Sequence, residues 1–106
     1  MARITDDELA ALKAKLGELE VVTVGGADDF VLKKPTEAQW DYFISRTTEK
    51  GAVGAALRTL ALDCLAWPAA YVAREAFARA PAMAAKVAQA CTRLAGGELE
   101  VEAKKA

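Results

Sequence analysis

Histidine is absent from this 106-residue chain, and with it go the commonest general base and the commonest zinc ligand. Triads built on an imidazole are excluded. Cysteine occurs only at Cys64 and Cys91, too few for a cysteine-rich metal site, and each falls on the apolar face of its helix. Buried free thiols are expected rather than a disulfide. Asp63, beside Cys64, would raise a thiol pKa, the wrong direction for a nucleophile. No acidic array has calcium-loop spacing, and Asp28-Asp29 reads as a solvated turn. Gly25-Gly26 lacks the Gly-Lys-Ser/Thr that a phosphate cradle needs, so it reads as a hairpin turn. No cofactor or metal is expected.

Long apolar runs are also missing. Arg58, Asp63, Arg74 and Glu75 interrupt the richest region well short of the roughly 20 residues that span a bilayer. The beginning, Met-Ala-Arg-Ile-Thr-Asp-Asp-Glu, turns acidic at once and has no apolar segment of the secretory kind. A soluble, cytoplasmic protein is the expectation. A net charge of -1 supplies no basic field for nucleic acid or an anionic membrane, so neither is an expected partner.

What the chain does contain is alanine and aliphatic residues, enough for one domain over 1–97 with a tail over 98–106. Its centre is Gly54 to Pro68. At 100° per residue, Val53, Leu57, Leu60, Cys64 and Trp67 share one side of a helix, with Ala61 close by. Leu62 and Leu65 interrupt the polar side formed by Arg58, Thr59 and Asp63. This helix is therefore expected to be covered on two sides, by other helices or by a partner.

Before it, Thr5-Asp6-Asp7-Glu8 is a capping box that opens a short helix with Leu9, Leu12 and Leu16 on one stripe, stopped at Gly17. Leu19 to Val24 and Phe30 to Lys33 then read as a β-hairpin around Gly25 to Asp29. Alone it is marginal, so it must lie on a helix or pair its edge with another chain. Pro35 ends the strand. Thr36-Glu37-Ala38-Gln39 caps a second helix with Trp40, Phe43, Ile44 and Thr47 on its inner side.

After it, Trp67-Pro68 stops the central helix, and the next one buries Ala69, Val72, Ala73, Ala76, Phe77 and Ala80. A last helix from about Pro81 to Leu94 points Met83, Val87, Ala90, Cys91 and Leu94 inward. The tail alternates acidic and apolar residues, giving either a short strand at Leu99 and Val101 or a frayed end. The fold class expected is α+β and mostly helical, a β-hairpin packed on a bundle of four to five helices.

Trp40, Phe43 and Trp67 share helical faces with aliphatic residues, which marks core rather than a stacking platform for bases. Tyr42, Leu62 and Tyr71 are the exceptions, large side chains on polar sides of their helices. Joined in a patch they would bind a partner; scattered, they would mean nothing.

Lys34-Pro35-Thr36-Glu37-Ala38-Gln39-Trp40 with Phe43, then Asp63-Cys64-Leu65-Ala66-Trp67-Pro68, then Ala80-Pro81-Ala82-Met83, follow an acidic capped helix and a hairpin. From about Thr5 to Gly97 this order resembles the small tail assembly chaperones of tailed bacteriophages and prophages. The resemblance implies a non-enzymatic factor that binds the tape measure protein and helps tail tube subunits polymerise around it. The rival is a minor structural or adaptor component retained in the tail, which its presence in purified tails would reveal. An enzyme would need a pocket with perturbed carboxylates such as Glu37 or Asp63. A homo-oligomer is compatible with either role. Leu62→Asp or Tyr71→Asp is expected to weaken partner binding in a pull-down while leaving the thermal midpoint nearly unchanged.

Overall fold

Thr5 and Thr36 each open a helix by the same exchange of hydrogen bonds. The Thr5 hydroxyl accepts from the Glu8 amide at 3.2 Å while the Glu8 carboxylate accepts from the Thr5 amide, and Thr36 and Gln39 do the same. The computed structural model describes residues 3–26 and 28–96. Its elements are α1 (Asp6–Leu16), β1 (Leu19–Val24), β2 (Asp28–Lys33), α2 (Glu37–Thr47), α3 (Val53–Asp63), β3 (Leu65–Trp67), α4 (Ala70–Arg79) and α5 (Ala82–Leu94). The fold is α+β and mostly helical, with five helices among the described residues packed about a small antiparallel sheet.

The hairpin forms as its alternation implies, with Val22 opposite Phe30 and Val21 opposite Val31. Gly25 and Gly26 turn it with φ of 65° and 69°, a region open to glycine at little cost. The sheet, however, has three strands in the order β1-β2-β3. Residues 65–67 are not helical: α3 ends at Asp63, and β3 pairs Leu65 with Leu32 and Trp67 with Val31 across a register irregularity. The physical reason is the second edge of β2, whose backbone groups need partners. Trp67 also precedes Pro68, and that position disfavours the helical region. The tail strand considered at Leu99 and Val101 lies outside the described residues.

As the middle strand, β2 is covered on both faces, and Phe30, Val31 and Leu32 are all buried. Phe30 and Leu32 point into the main core, where they join Leu60, Ala61, Cys64, Ala73, Phe77, Val87 and Cys91. Phe30 stacks on Phe77 with ring centroids 5.7 Å apart. α3 and α5 make the most extensive helix–helix contact, and α2 lies on the outside of α3, bringing Trp40 and Phe43 to its margin. Buried alanines such as Ala56, Ala61, Ala84 and Ala88 leave these helices room to approach closely.

Three inward assignments change. Val53 is 50% exposed, because the first turn of α3 overhangs the face that Ala56 and Leu60 bury. Ile44 is 45% exposed, since α2 rests chiefly on α3, which covers only part of its surface. Ala69 lies outside α4 and is exposed.

Asp29 is the larger correction. It is no solvated turn residue but the second residue of β2, and it is 5% exposed. Its carboxylate accepts from the Thr23 hydroxyl at 2.6 Å and from the Ile4 amide at 3.0 Å, and Arg3 lies 3.5 Å away. Arg3 also donates to the Gly26 carbonyl at 3.0 Å, so the segment leading into α1 is tied to the hairpin turn. The Thr23 hydrogen bond, helped by Ile4 and Arg3, holds Asp29 below its usual 3.8 against the upward push of burial. A depressed carboxylate pKa stabilises the fold above the unfolded value and loses that contribution as the pH falls through the folded one. Asp29→Asn should cost about 1–3 kcal/mol at neutral pH by denaturant titration. The gap between variant and native protein should narrow below pH 3.8.

Candidate functional site

Two surface grooves flank α4. One, of about 520 Å³, lies between α4 and the sheet and is lined by Asp28, Phe30, Pro68, Val72, Glu75 and Arg79. Its charges are mixed, which suits neither an anion nor a cation in particular. The other, of about 510 Å³, lies between α3 and α4. Phe77 and Leu62 give it an apolar floor, Ala55 and Ala78 keep its walls low, and Arg58 and Arg74 stand on opposite sides. Both arginines are exposed, and neither has an ion-pair partner among the described residues.

The sequence of α3 and α4 explains this groove. On α3, Arg58 and Leu62 are one turn apart and so share a face, as do Arg74 and Ala78 on α4. The two faces meet because both helices pack on α5, with Leu60 and Phe77 joining Phe30 and Leu32 in one core. Neither Glu37 nor Asp63 lines either groove. Burial raises the Asp63 pKa while nearby Lys33 opposes it, so its shift has a packing origin.

Cys64 and Cys91 are free thiols, both fully buried in the core. The Cys91 thiol donates to the Leu60 carbonyl at 3.9 Å. Its hydrogen bond with Cys64 and its burial push the Cys91 pKa well above the ordinary thiol value, leaving an inert core residue. No group of three or more cysteine and carboxylate side chains among the described residues is arranged to hold a metal. No helix among them is long and apolar enough to cross a membrane.

A family profile described as a domain of unknown function, DUF6848, matches residues 12–104. The chain belongs to the DUF6848 family. This DUF6848 chain is also similar to a solved structure, that of the uncharacterised protein rbstp2171 from Bacillus stearothermophilus, with a TM-score of 0.76 and 20% sequence identity. The alignment covers 91% of this chain and 99% of that one, and at such identity it speaks to the fold alone. No curated protein matches.

In the DUF6848 chain the three residues singled out as a partner site lie on three different helices. Tyr42, 48% exposed, is engaged on its own helix: Arg46 donates to its hydroxyl at 2.8 Å and sits 5.7 Å from its ring centroid. Arg46 in turn reaches Glu49 at 3.3 Å. Tyr71, 67% exposed, projects from the first turn of α4. Leu62 is half-buried in the α3–α4 groove, whose lining includes neither tyrosine. Sequence reading missed the arginines as site residues. Their spacing put each on the wet side of its helix, and nothing local says that the two wet sides converge.

This burial changes the stability expected of Leu62. Leu62→Asp should lower the unfolding free energy by about 1–3 kcal/mol, because it puts a carboxylate against the core. Tyr71→Asp should stay within about 0.5 kcal/mol of the native protein in the same denaturant titration.

Proposed function

We propose that this protein is a non-enzymatic assembly chaperone for the tape measure protein of a tailed phage. It binds helical stretches of that client in the host cytoplasm and assists polymerisation of tail tube subunits around it. The observation that carries this reading is the α3–α4 groove, an apolar-floored surface channel between two helices. Such a channel is the shape by which a folded domain takes an amphipathic helix. The resemblance in segment order supplies the client.

The segments behind that resemblance have a structural place. Lys34 to Trp40 spans the passage from β2 into α2, Asp63 to Pro68 the passage from α3 through β3, and Ala80 to Met83 the break between α4 and α5. They are the joints of the fold, and the groove lies between α3 and α4, the two helices that the second of these joints connects. A client-binding role needs only that the groove stay open in the free protein and that binding be reversible. Both fit a factor that leaves once the tail is built.

Co-expression with the tape measure protein from the same gene neighbourhood tests the reading. The expected result is a rise in soluble tape measure protein and its co-purification with this chain. Unchanged solubility without a complex overturns it, and recovery of this chain in purified, finished tails favours a retained adaptor instead.

A further inference from the structure

We propose that the α3–α4 groove recognises an amphipathic α-helix with carboxylates flanking its apolar stripe, the arginines Arg58 and Arg74 reading those carboxylates from opposite sides. The inference rests on the reading of this protein as a binder of helical clients and adds the chemistry of what is bound.

The groove runs between two helices, and its floor of Leu62 and Phe77 is apolar, so it suits side chains of leucine size projecting from one helical face. Ala55 and Ala78 bring little bulk to the walls, so a third helix can come near the floor. Charge then selects among amphipathic helices. No carboxylate lines this groove, and its two guanidinium groups have no ion-pair partner among the described residues. Three of the chain's other guanidinium groups are engaged, Arg3 on Asp29, Arg46 on Glu49 and Arg93 on Glu20, and Arg79 lines the groove that also holds Asp28 and Glu75. A guanidinium offers a planar fork of donors that matches a carboxylate. Two such forks either side of an apolar floor complement a helix whose stripe is edged by Glu or Asp, and repel one edged by Lys. The mixed-charge groove beside the sheet, with Asp28, Glu75 and Arg79, has no such preference.

The test uses the full chain and two labelled synthetic peptides of roughly 20 residues, long enough to hold a helix, with the same leucine–alanine stripe and either Glu or Lys on its flanks. Fluorescence anisotropy at low salt should show the Glu peptide binding at least about tenfold more tightly than the Lys peptide, and added salt should weaken that preference. The double variant Arg58→Glu/Arg74→Glu should invert it. Both side chains are exposed, so the variant's thermal midpoint, read alongside, should stay close to the native one.

The proposal fails if neither peptide binds, if the two bind equally, or if charge reversal leaves Glu-peptide binding intact. It fails equally if a single-stranded oligonucleotide binds to the groove in preference to the Glu peptide, for the arginines then read phosphate. It also fails if the protein self-associates and the double variant dissociates it, which would make a second copy the occupant. Loss of peptide binding with tape measure co-purification retained would remove this groove chemistry and leave the chaperone role standing. The opposite pair of results would do the reverse.

Discussion

Strand β2 has two hydrogen-bonding edges and two faces, and the architecture follows from satisfying all four. One edge takes β1 through the Gly25-Gly26 turn, and the other takes β3. One face buries Phe30 and Leu32 against α3, α4 and α5; the other carries Val31 and Asp29, to which the segment before α1 is fastened. The second edge has the furthest consequences. Pairing Leu65 and Trp67 with β2 obliges α3 to end at Asp63, and the Lys33 amide closes the junction by donating to the Cys64 carbonyl at 2.8 Å. An unpaired interior edge would leave buried backbone groups without partners, a larger loss than the few helical hydrogen bonds given up.

Ending α3 there also decides the surface. The chain runs along the sheet edge as β3 and returns as α4, which sets α4 beside α3 with Phe77 stacked on Phe30. The α3–α4 groove is the seam left between two helices that both pack on α5 and share its core but touch each other only modestly. Alanine contributes to both results. Buried alanines let α3 and α5 close tightly, while Ala55 and Ala78 leave the seam shallow and open. Such a surface offers a limited area to a partner, and charge on its margins would matter correspondingly more to selectivity than to strength.

The polar clamp at Asp29 is the second constraint. A buried carboxylate is tolerable only with its hydrogen bonds made, and Thr23 and the Ile4 amide make them. The arrangement joins the hairpin to the entry into α1, a helix that itself buries no residue completely. α1 is thus held at its start by polar contacts and by its capping box more than by its leucine stripe, of which Leu16 is 40% exposed.

The sequence by itself determined what depends on neighbours a few residues apart. Both capping boxes, the glycine turn, the breaks at Pro35 and Pro81, and the inward faces of α4 and α5 are consequences of side chain meeting its own backbone, or of helical periodicity. The burial of both cysteines was legible for the same reason. Tertiary structure alone decided the rest, because it depended on residues far apart in the chain. Leu65, Ala66 and Trp67 fit a helical stripe well enough until the edge of β2, more than 30 positions earlier, is present to pair with them. Asp29 is indistinguishable from a solvated turn residue until Thr23 and Ile4 fold against it. Arg58 and Arg74 each sit on an ordinary wet face, and only the packing of α3 and α4 side by side on α5 makes them opposite walls of a groove.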